Sequence, residues 1–374
     1  MFWLWLYDPF TMTIVFIAYI VGLAGITFAA SKLAPRIARS ISNKLSLYSA
    51  MFFSALTIIV GSLASIYILY YLMSSIGIEL SLMRLLFFVV SINLLTWLLS
   101  PWLINLMYGA SPNEELQRIV NEVSKRAGIK PPKAVVVRGP PNAFAYGNIF
   151  AGRYVAVTTG MLDIVDKREL EAVIGHELGH HKHKDNAIML LFGIFPSIIY
   201  YLGIILIRAG ILGGVSRLSE RREGGGGGLF LVLIGAIAIL LSMVIQVLVL
   251  AFSRLREYYA DAHGAYVSGA KNMQRALAKL HLYYEYNDEM KHYIDNSKLR
   301  TLFIYAFMEA IANPFYSPTP YRKRRIIIED IDHLIESLKQ QPIDPTKEVF
   351  MSHPPIPKRL RFLDQVETGI ERIH

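Results

Sequence analysis

Five long apolar segments divide this sequence, and they constrain its fold more than any other feature. They cover residues 11–30, 47–73, 80–107, 188–212 and 229–252. A helix needs about 20 mostly apolar residues to cross a bilayer, so each segment is long enough to be a transmembrane helix. The composition agrees, because 53% of the residues are hydrophobic and the mean hydropathy is +0.39, values more typical of helical membrane proteins than of soluble domains. The sequence therefore predicts a mainly α membrane protein with a bundle of four to five transmembrane helices.

The distribution of Lys and Arg predicts how these segments are oriented. Residues 31–46 contain four Lys/Arg and no acidic residue, whereas residues 74–79 contain no Lys/Arg. Because positively charged loops stay on the cytoplasmic side of a membrane, the chain is expected to return to the cytoplasm after the third segment. We therefore expect a multi-pass protein of the cell (plasma) membrane whose large polar segments face the cytoplasm. The net charge of +9 fits this topology, and no basic and aromatic module predicts nucleic-acid binding.

The polar segments between the apolar ones give the predicted domain organisation. Four parts follow one another: N-terminal transmembrane helices at 1–107, a polar segment at 108–187, a transmembrane hairpin at 188–252 with a Gly-rich loop at 213–228, and a second polar segment at 253–374. The loop contains five consecutive glycines, for which regular structure is costly, and it is therefore predicted to be flexible.

Within the two polar segments, helical and β-branched patterns predict an α+β lobe. Helices are expected at 112–128 and 254–279, and short strands at 134–137 and 154–158. A further helix is expected to carry the metal-binding pattern described next, with Asp163 or Asp166 as its N-terminal cap.

Residues His176, Glu177 and His180 form the pattern H-E-x-x-H in the first polar segment. Positions i and i+4 lie on one face of a helix, so both imidazoles can bind a single metal ion. Glu177 would then lie beside the metal, where it can accept a proton from a bound water. The chain contains no cysteine, so a zinc ion is expected to be bound by histidine and carboxylate. Two ordinary helical histidines remain the alternative.

A zinc ion bound by two histidines needs a third protein ligand. Two predicted spans separate His180 from residue 253, so the chain returns there to the same side of the membrane. Glu257 and Asp261 follow directly and are again one helical turn apart, so one can bind the metal while the other supports the site. Glu257 is the favoured ligand. The alternatives are His181, His183, Asp185, His263, His281 and Glu285.

The motif HELGH at 176–180, together with EYYAD at 257–261, resembles the integral-membrane metalloproteases of the HtpX heat-shock type. These are gluzincins, and they are related to the CAAX prenyl endopeptidases. Three further stretches match: PNAFAYG at 141–147, AVTTGML at 156–162 and SHPPIPKR at 352–359. The resemblance covers about 109–261 and 352–361. Two features depart from it. Such proteins commonly have two spans before the catalytic segment, whereas three are predicted here, and residues 262–351 match none of these motifs.

The resemblance implies roles for particular residues. Zinc would be bound by His176, His180 and Glu257, with Glu177 as general base and Asp261 orienting a ligand histidine. Two residues of the C-terminal motif, His353 and Arg359, would lie near the metal and help to hold the scissile carbonyl or the shape of the site. The residues that would line the substrate cleft are Asn142, Ala143, Phe144 and Ala145. The alternatives are a turn residue for Asn142, a structural histidine beside two prolines for His353, and a solvent-facing Arg359.

The expected function is peptide hydrolysis with one Zn²⁺ per chain. Because the motif is followed within a few residues by a predicted span, the site would work at the bilayer surface. Misfolded or damaged membrane proteins would then be the nearest substrates, which indicates a quality-control endopeptidase at the cytoplasmic face, active in the stress response. The alternatives are a CAAX-type processing endopeptidase for lipidated or C-terminal peptides and a non-catalytic, zinc-stabilised membrane scaffold. The expected partners are protein or peptide substrates and the lipid bilayer.

Overall fold

The computed structural model of the protein is mostly helical, with one small mixed sheet. It describes residues 47–75, 82–219, 226–285 and 330–371, and parts of 9–29. In chain order the described elements are α1 (Leu47–Ser75), α2 (Leu82–Met107), β1 (Ser111–Pro112), α3 (Glu114–Ala127), β2 (Lys133–Val137), β3 (Ala143–Asn148), β4 (Gly152–Thr158), α4 (Thr159–Ile164), α5 (Lys167–Lys182), α6 (Asp185–Ser219), α7 (Gly226–Ser268), α8 (Ala270–Glu285), α9 (Ile331–Gln340), α10 (Pro345–Glu348) and α11 (Ile356–Glu371).

The membrane part is a bundle of apolar helices, which confirms the predicted fold class. Helices α1, α2, α6 and α7 are each long and apolar enough to cross a membrane, and α2 corresponds to the segment predicted at 80–107. Within the segment predicted at 11–30, the described residues form a shorter apolar helical stretch, Thr13–Ile26. Helices α6 and α7 pack closely at glycines, because a Cβ built on Gly203 would lie only 2.8 Å from the carbonyl oxygen of Gly235.

Two predicted boundaries are wrong, and glycine is the reason in both cases. The Gly-rich loop predicted at 213–228 is helical at both ends, because α6 continues to Ser219 and α7 begins at Gly226. A Cβ on Gly210 would collide with the carbonyl oxygen of Gly228, so glycine here permits close helix packing. The helix predicted at 254–279 is divided between α7 and α8, because Gly269 has a φ of +96° and ends α7 in the left-handed region.

The sheet of the polar lobe has the strand order β1-β2-β4-β3. Strands β2 and β4 are parallel and agree with the two predicted strands, whereas β3 pairs antiparallel with β4 and forms a hairpin with it. Helices α3 and α5 pack against this sheet through a shared core that includes Val120, Val157 and Ile174. Strand β3 is therefore an edge strand, and its outer edge is not paired with any described strand.

Helix α5 begins at a capping box and packs directly on α7. The amide of Glu169 donates to the Asp166 carboxylate at 2.9 Å, and the amide of Asp166 donates to the Glu169 carboxylate at 2.8 Å. Asp166 is thus the cap, rather than the alternative candidate Asp163. A Cβ on Gly179 would lie 3.0 Å from Cα of Ala260, and a Cβ on Gly175 would lie 3.1 Å from Cα of Gly264. This close approach brings the two helix backbones together beside the H-E-x-x-H motif.

Candidate metal centre

Three side chains on α5 and α7 place their metal-binding atoms around one small space. The ligand atoms of His176, His180 and Glu257 all lie within 4.8 Å of one another. The two histidine Nε2 atoms are 3.2 Å apart. The Glu257 carboxylate lies 3.7 Å from Nε2 of His176 and 3.5 Å from Nε2 of His180. The structure therefore brings the three predicted ligands together, although α6 and most of α7 lie between them along the chain.

These atoms are spaced as a tetrahedral metal site requires. Two ligand atoms at bond lengths near 2.0–2.1 Å and a tetrahedral angle lie about 3.3 Å apart, close to the separations observed here. In addition, Oε2 of Glu257 is buried and accepts no hydrogen bond from the described residues. A buried carboxylate oxygen in this position is costly unless a cation compensates it. The residues present thus fit a divalent metal ion.

Each histidine of the cluster has a carboxylate at its other ring nitrogen. Nδ1 of His176 lies 3.0 Å from Oδ1 of Asp261, and Nδ1 of His180 lies 2.6 Å from Oδ2 of Asp185. Such partners fix the orientation of a ligand imidazole, so that Nε2 is the atom presented to the metal. Asp261 therefore contacts His176, one of the two histidines predicted as ligands.

Asp185, an alternative ligand in the sequence analysis, instead contacts Nδ1 of His180. Lys184 has a φ of +55°, the left-handed region, and this turn directs the first residue of α6 back toward His180. Arg256 forms an ion pair with Asp185 and also donates to the carbonyl oxygen of His183 at 2.9 Å. Helical spacing alone does not reveal this contact, because Asp185 lies beyond the end of α5.

Replacing Asp185 by Asn is expected to lower the metal affinity of the protein by a factor of about 10 to 100, because the ligand His180 loses its charged partner. The measurement is a titration of the metal-loaded protein with a competing chelator. Asp332→Asn is the matched control, since Asp332 also pairs with an arginine, Arg275, but on the exposed surface. Equal metal affinities for the Asp185 variant and the control would contradict the role assigned to the contact between Asp185 and His180.

The C-terminal motif reaches the same space from α11 and the residues before it. Nε2 of His353 lies 3.5 Å from Oε1 of Glu257, and the His353 side chain is 48% exposed. Arg359 donates two hydrogen bonds to Asp261, at 2.8 and 2.5 Å, and its Nη1 lies 3.8 Å from Oε2 of Glu257. Because Arg359 and Asp261 are both buried, a solvent-facing Arg359 is excluded.

Arg254 attaches this C-terminal segment to α7. Its Nη1 donates to the carbonyl oxygens of Met351 at 2.6 Å and Val349 at 3.3 Å, just before His353 in the chain. Arg254 was not among the predicted site residues, because the sequence contains no signal that pairs it with carbonyl groups almost a hundred positions later.

The other alternative ligands contact different partners. Nε2 of His181 bonds the carbonyl oxygen of Tyr154 at 2.8 Å, and burial lowers the pKa of His181 to about 4, although this hydrogen bond acts in the opposite direction. Nδ1 of His263 bonds the carbonyl oxygen of Gly175 at 2.7 Å. The remaining contacts are the ring of His183 against Tyr259 and the pair His281–Glu285 within α8.

The predicted cleft residues lie on and beside the edge strand. The backbone of Asn142 is fixed to Thr158, because its amide donates to the Thr158 hydroxyl at 2.8 Å and its carbonyl oxygen accepts from the Thr158 amide at 2.9 Å. Ala143, Phe144 and Ala145 are partly exposed in β3, which contacts α5. Glu177 is buried on α5, next to His176. The edge of β3 that no described strand pairs thus lies beside the helix that bears the motif.

Comparison with known proteins identifies the family. The peptidase family M48 profile matches residues 110–367. A protease HtpX homolog of Pyrobaculum calidifontis is 47% identical over 362 residues, which cover 96% of this chain and 98% of that protein. A protease HtpX homolog of Archaeoglobus fulgidus is 45% identical over 363 residues, which cover 97% of this chain and 98% of that protein. The crystal structure of S. mikatae Ste24p aligns with a TM-score of 0.49 at 17% identity, covering 86% of this chain and 68% of that one. The resemblance inferred from the motifs is confirmed, and the chain belongs to peptidase family M48 as a membrane metalloprotease of the HtpX type.

Proposed function

We propose that this metalloprotease is a zinc endopeptidase that cleaves misfolded or damaged membrane proteins at the cytoplasmic face of the plasma membrane. The observation that supports this proposal is the continuity of the site with the spans. Helix α7 bears Glu257 and is also one of the four apolar helices, and His180 lies only a few residues before the first residue of α6. A site built in this way acts at the membrane surface, where membrane proteins are the nearest substrates.

The cytoplasmic orientation is supported by charge. The loop at 31–46 has four Lys/Arg and no acidic residue, and such loops remain in the cytoplasm. The polar lobe follows two further spans, α1 and α2, and therefore lies on the same side as this loop. The non-catalytic scaffold inferred as an alternative is not favoured, because the chain belongs to a family of peptidases.

The chemistry follows from the residues around the three ligands. His176, His180 and Glu257 would hold the zinc ion, which when bound supplies a Lewis acid that polarises a carbonyl group and acidifies water. Glu177 accepts the proton of the attacking water and transfers it to the leaving amine. The half-exposed His353 donates a hydrogen bond to the carbonyl oxygen of the scissile peptide as negative charge develops there.

The substrate is held by β3. An extended peptide that pairs with the free edge of a sheet gains backbone hydrogen bonds, and its alternate side chains enter pockets. The backbone bonds between Asn142 and Thr158 fix the start of this edge. Pairing at β3 would place the peptide beside α5, which carries Glu177.

Removing the metal with a chelator is expected to abolish cleavage of an unfolded membrane protein by the reconstituted chain. Without the metal, the scissile carbonyl group is not polarised and the attacking water is not acidified. Adding one equivalent of zinc should restore cleavage. The measurement is the rate of substrate loss together with the zinc content per chain. Full activity in protein proven free of metal would contradict the proposal, and cleavage of a prenylated C-terminal peptide alone would favour the processing alternative.

A further inference from the structure

The turn between β3 and β4 presents two large apolar side chains that the metal centre does not use. Ile149 is 82% exposed and Phe150 is 70% exposed. They are adjacent at the tip of the hairpin, and leaving such side chains in water forgoes the free energy of their burial. We call residues 149–150 the hairpin tip. Its position relative to the spans indicates what covers it.

Asn148 attaches the hairpin tip to α2. Its Nδ2 donates to the carbonyl oxygens of Trp97 at 3.0 Å and Leu98 at 2.8 Å. The carbonyl of Trp97 is available because the residue four positions later, Pro101, has no N–H to donate within the helix. The proline thus leaves the Trp97 carbonyl to side-chain donors, and both the Asn148 amide, at 3.0 Å, and the Ser100 hydroxyl, at 2.9 Å, donate to it.

This attachment lies at the depth of the membrane. Helix α2 has 26 residues, Leu82–Met107, and a crossing needs about 20 of them. A crossing of about 20 residues that begins at the first residue of α2, Leu82, ends at residue 101. One that ends at the last residue, Met107, begins at residue 88. Every possible crossing therefore includes Trp97 and Leu98, to which the hairpin is bound.

The whole of β3 runs along the same helix, starting beside the C-terminal end of α2 and leading away from it. The hydroxyl of Tyr146 donates to Oδ1 of Asn105 at 2.5 Å, and the ring of Phe144 lies 5.6 Å from that of Tyr108. The strand start is therefore beside the end of α2, and the hairpin tip is about three helical turns further into the span. This direction takes the strand from the polar lobe into the bilayer.

The turn between β3 and β4 satisfies two of its backbone N–H groups without water. Oδ1 of Asn148 accepts from the backbone amides of Phe150 at 3.0 Å and Ala151 at 2.9 Å. In lipid, backbone N–H groups must be paired within the protein, and Asn148 provides this for two of them. The next charged residue along the chain, Arg153, donates to the carbonyl oxygen of Lys130 at 3.1 Å, which keeps its charge at the level of the polar lobe.

We propose that Ile149 and Phe150 insert into the acyl-chain region of the bilayer beside α2. The outer edge of β3, which pairs with no strand in the described part of the chain, then begins within the membrane and leads to the metal centre. A polypeptide segment that leaves the bilayer at this point pairs with β3 from its first residues outside the lipid. This consequence for substrates rests on the proposed function, whereas the insertion itself does not.

The insertion can be measured without any enzymatic activity. Because the chain has no cysteine, Ile149→Cys and Phe150→Cys each give a single thiol for an environment-sensitive fluorophore in protein reconstituted into phosphatidylcholine vesicles. Leu95→Cys, exposed on α2, is the lipid-facing control, and Glu115→Cys, exposed on α3, is the water-facing control.

Labels at 149 and 150 are expected to resemble the label at 95. Their emission should shift to the blue, lipids brominated in the acyl chain should quench them, and iodide should quench them several-fold less than the label at 115. Strong quenching by iodide without quenching by brominated lipid would overturn the insertion. Protection from both quenchers would also overturn it, because polypeptide would then cover the tip.

The consequence for substrates has a separate test. The double variant Ile149→Ser/Phe150→Ser is expected to cleave a membrane-tethered peptide several-fold more slowly than the unchanged chain, and to cleave the same peptide without its tether at an unchanged rate. An equal loss for both peptides would overturn the role of the tip in substrate entry. If the unchanged chain cleaves neither peptide, the proposed function fails, and the quenching measurements still decide the insertion.

Discussion

Replacing Glu177 by Gln is expected to lower kcat for peptide hydrolysis by a factor of about 10²–10⁴, the usual contribution of a general base, while the metal content stays the same. Glutamine has the size of glutamate but cannot accept the proton of the attacking water. The three proposed ligands, His176, His180 and Glu257, are unchanged by the substitution. The measurements are single-turnover cleavage of a fluorogenic peptide and the elemental zinc content of the purified variant.

Glu122→Gln is the control for this experiment, because Glu122 lies on the exposed face of α3 and its substitution should alter neither quantity. An unchanged kcat for Glu177→Gln would contradict the role assigned to Glu177. A variant that loses both cleavage and metal would instead show that the Glu177 carboxylate supports metal binding.

Replacing Arg359 by Ala is expected to lower the free energy of unfolding of the polar lobe by about 3–5 kcal/mol, the cost of leaving one member of a buried ion pair without its partner. The carboxylate of Asp261 is fully buried and receives two hydrogen bonds from Arg359. Without the guanidinium, His176, with its Nδ1 at 3.0 Å, is the polar neighbour that remains beside Asp261 among the described residues. Thermal denaturation in detergent should therefore show a much lower Tm.

The control for this substitution is Arg118→Ala on the exposed face of α3, which should change the stability by no more than about 0.5 kcal/mol. Arg359→Lys should recover part of the loss, because a lysine keeps the charge but not the two parallel hydrogen bonds. If Arg359→Ala denatures at the same temperature as Arg118→Ala, the buried pair does not stabilise the lobe.

The parts of the site that depend on regular periodicity could be predicted from the sequence. His176 and His180 share a helix face because of their spacing, and Asp166, one of the two candidate caps, begins their helix. Glu257 could be inferred because two spans return the chain to its starting side of the membrane. In each case a short-range rule, combined with the length of the apolar segments, was sufficient.

The parts that depend on irregular turns or on contacts between distant residues could not be predicted. Asp185 contacts His180 only because Lys184 adopts a left-handed conformation. Arg254 contacts backbone carbonyl groups, whose positions no side-chain pattern reports. The glycines before residue 229 resemble a flexible linker, yet part of them begins α7 because that helix packs closely on α6.

The unbroken course of α7 has a mechanical consequence for the enzyme. Glu257 is 31 residues beyond Gly226 in one helix. It therefore lies about 47 Å from the start of that helix. If α7 rotated by roughly 2° about its start, Glu257 would move by about 1.6 Å. The length of a metal–ligand bond can change by only about 0.2 Å. The two histidines belong to α5, whose backbone touches α7 at Gly175 and Gly179. Thinning or bending of the bilayer can therefore leave the metal coordinated only if both helices swing as a unit.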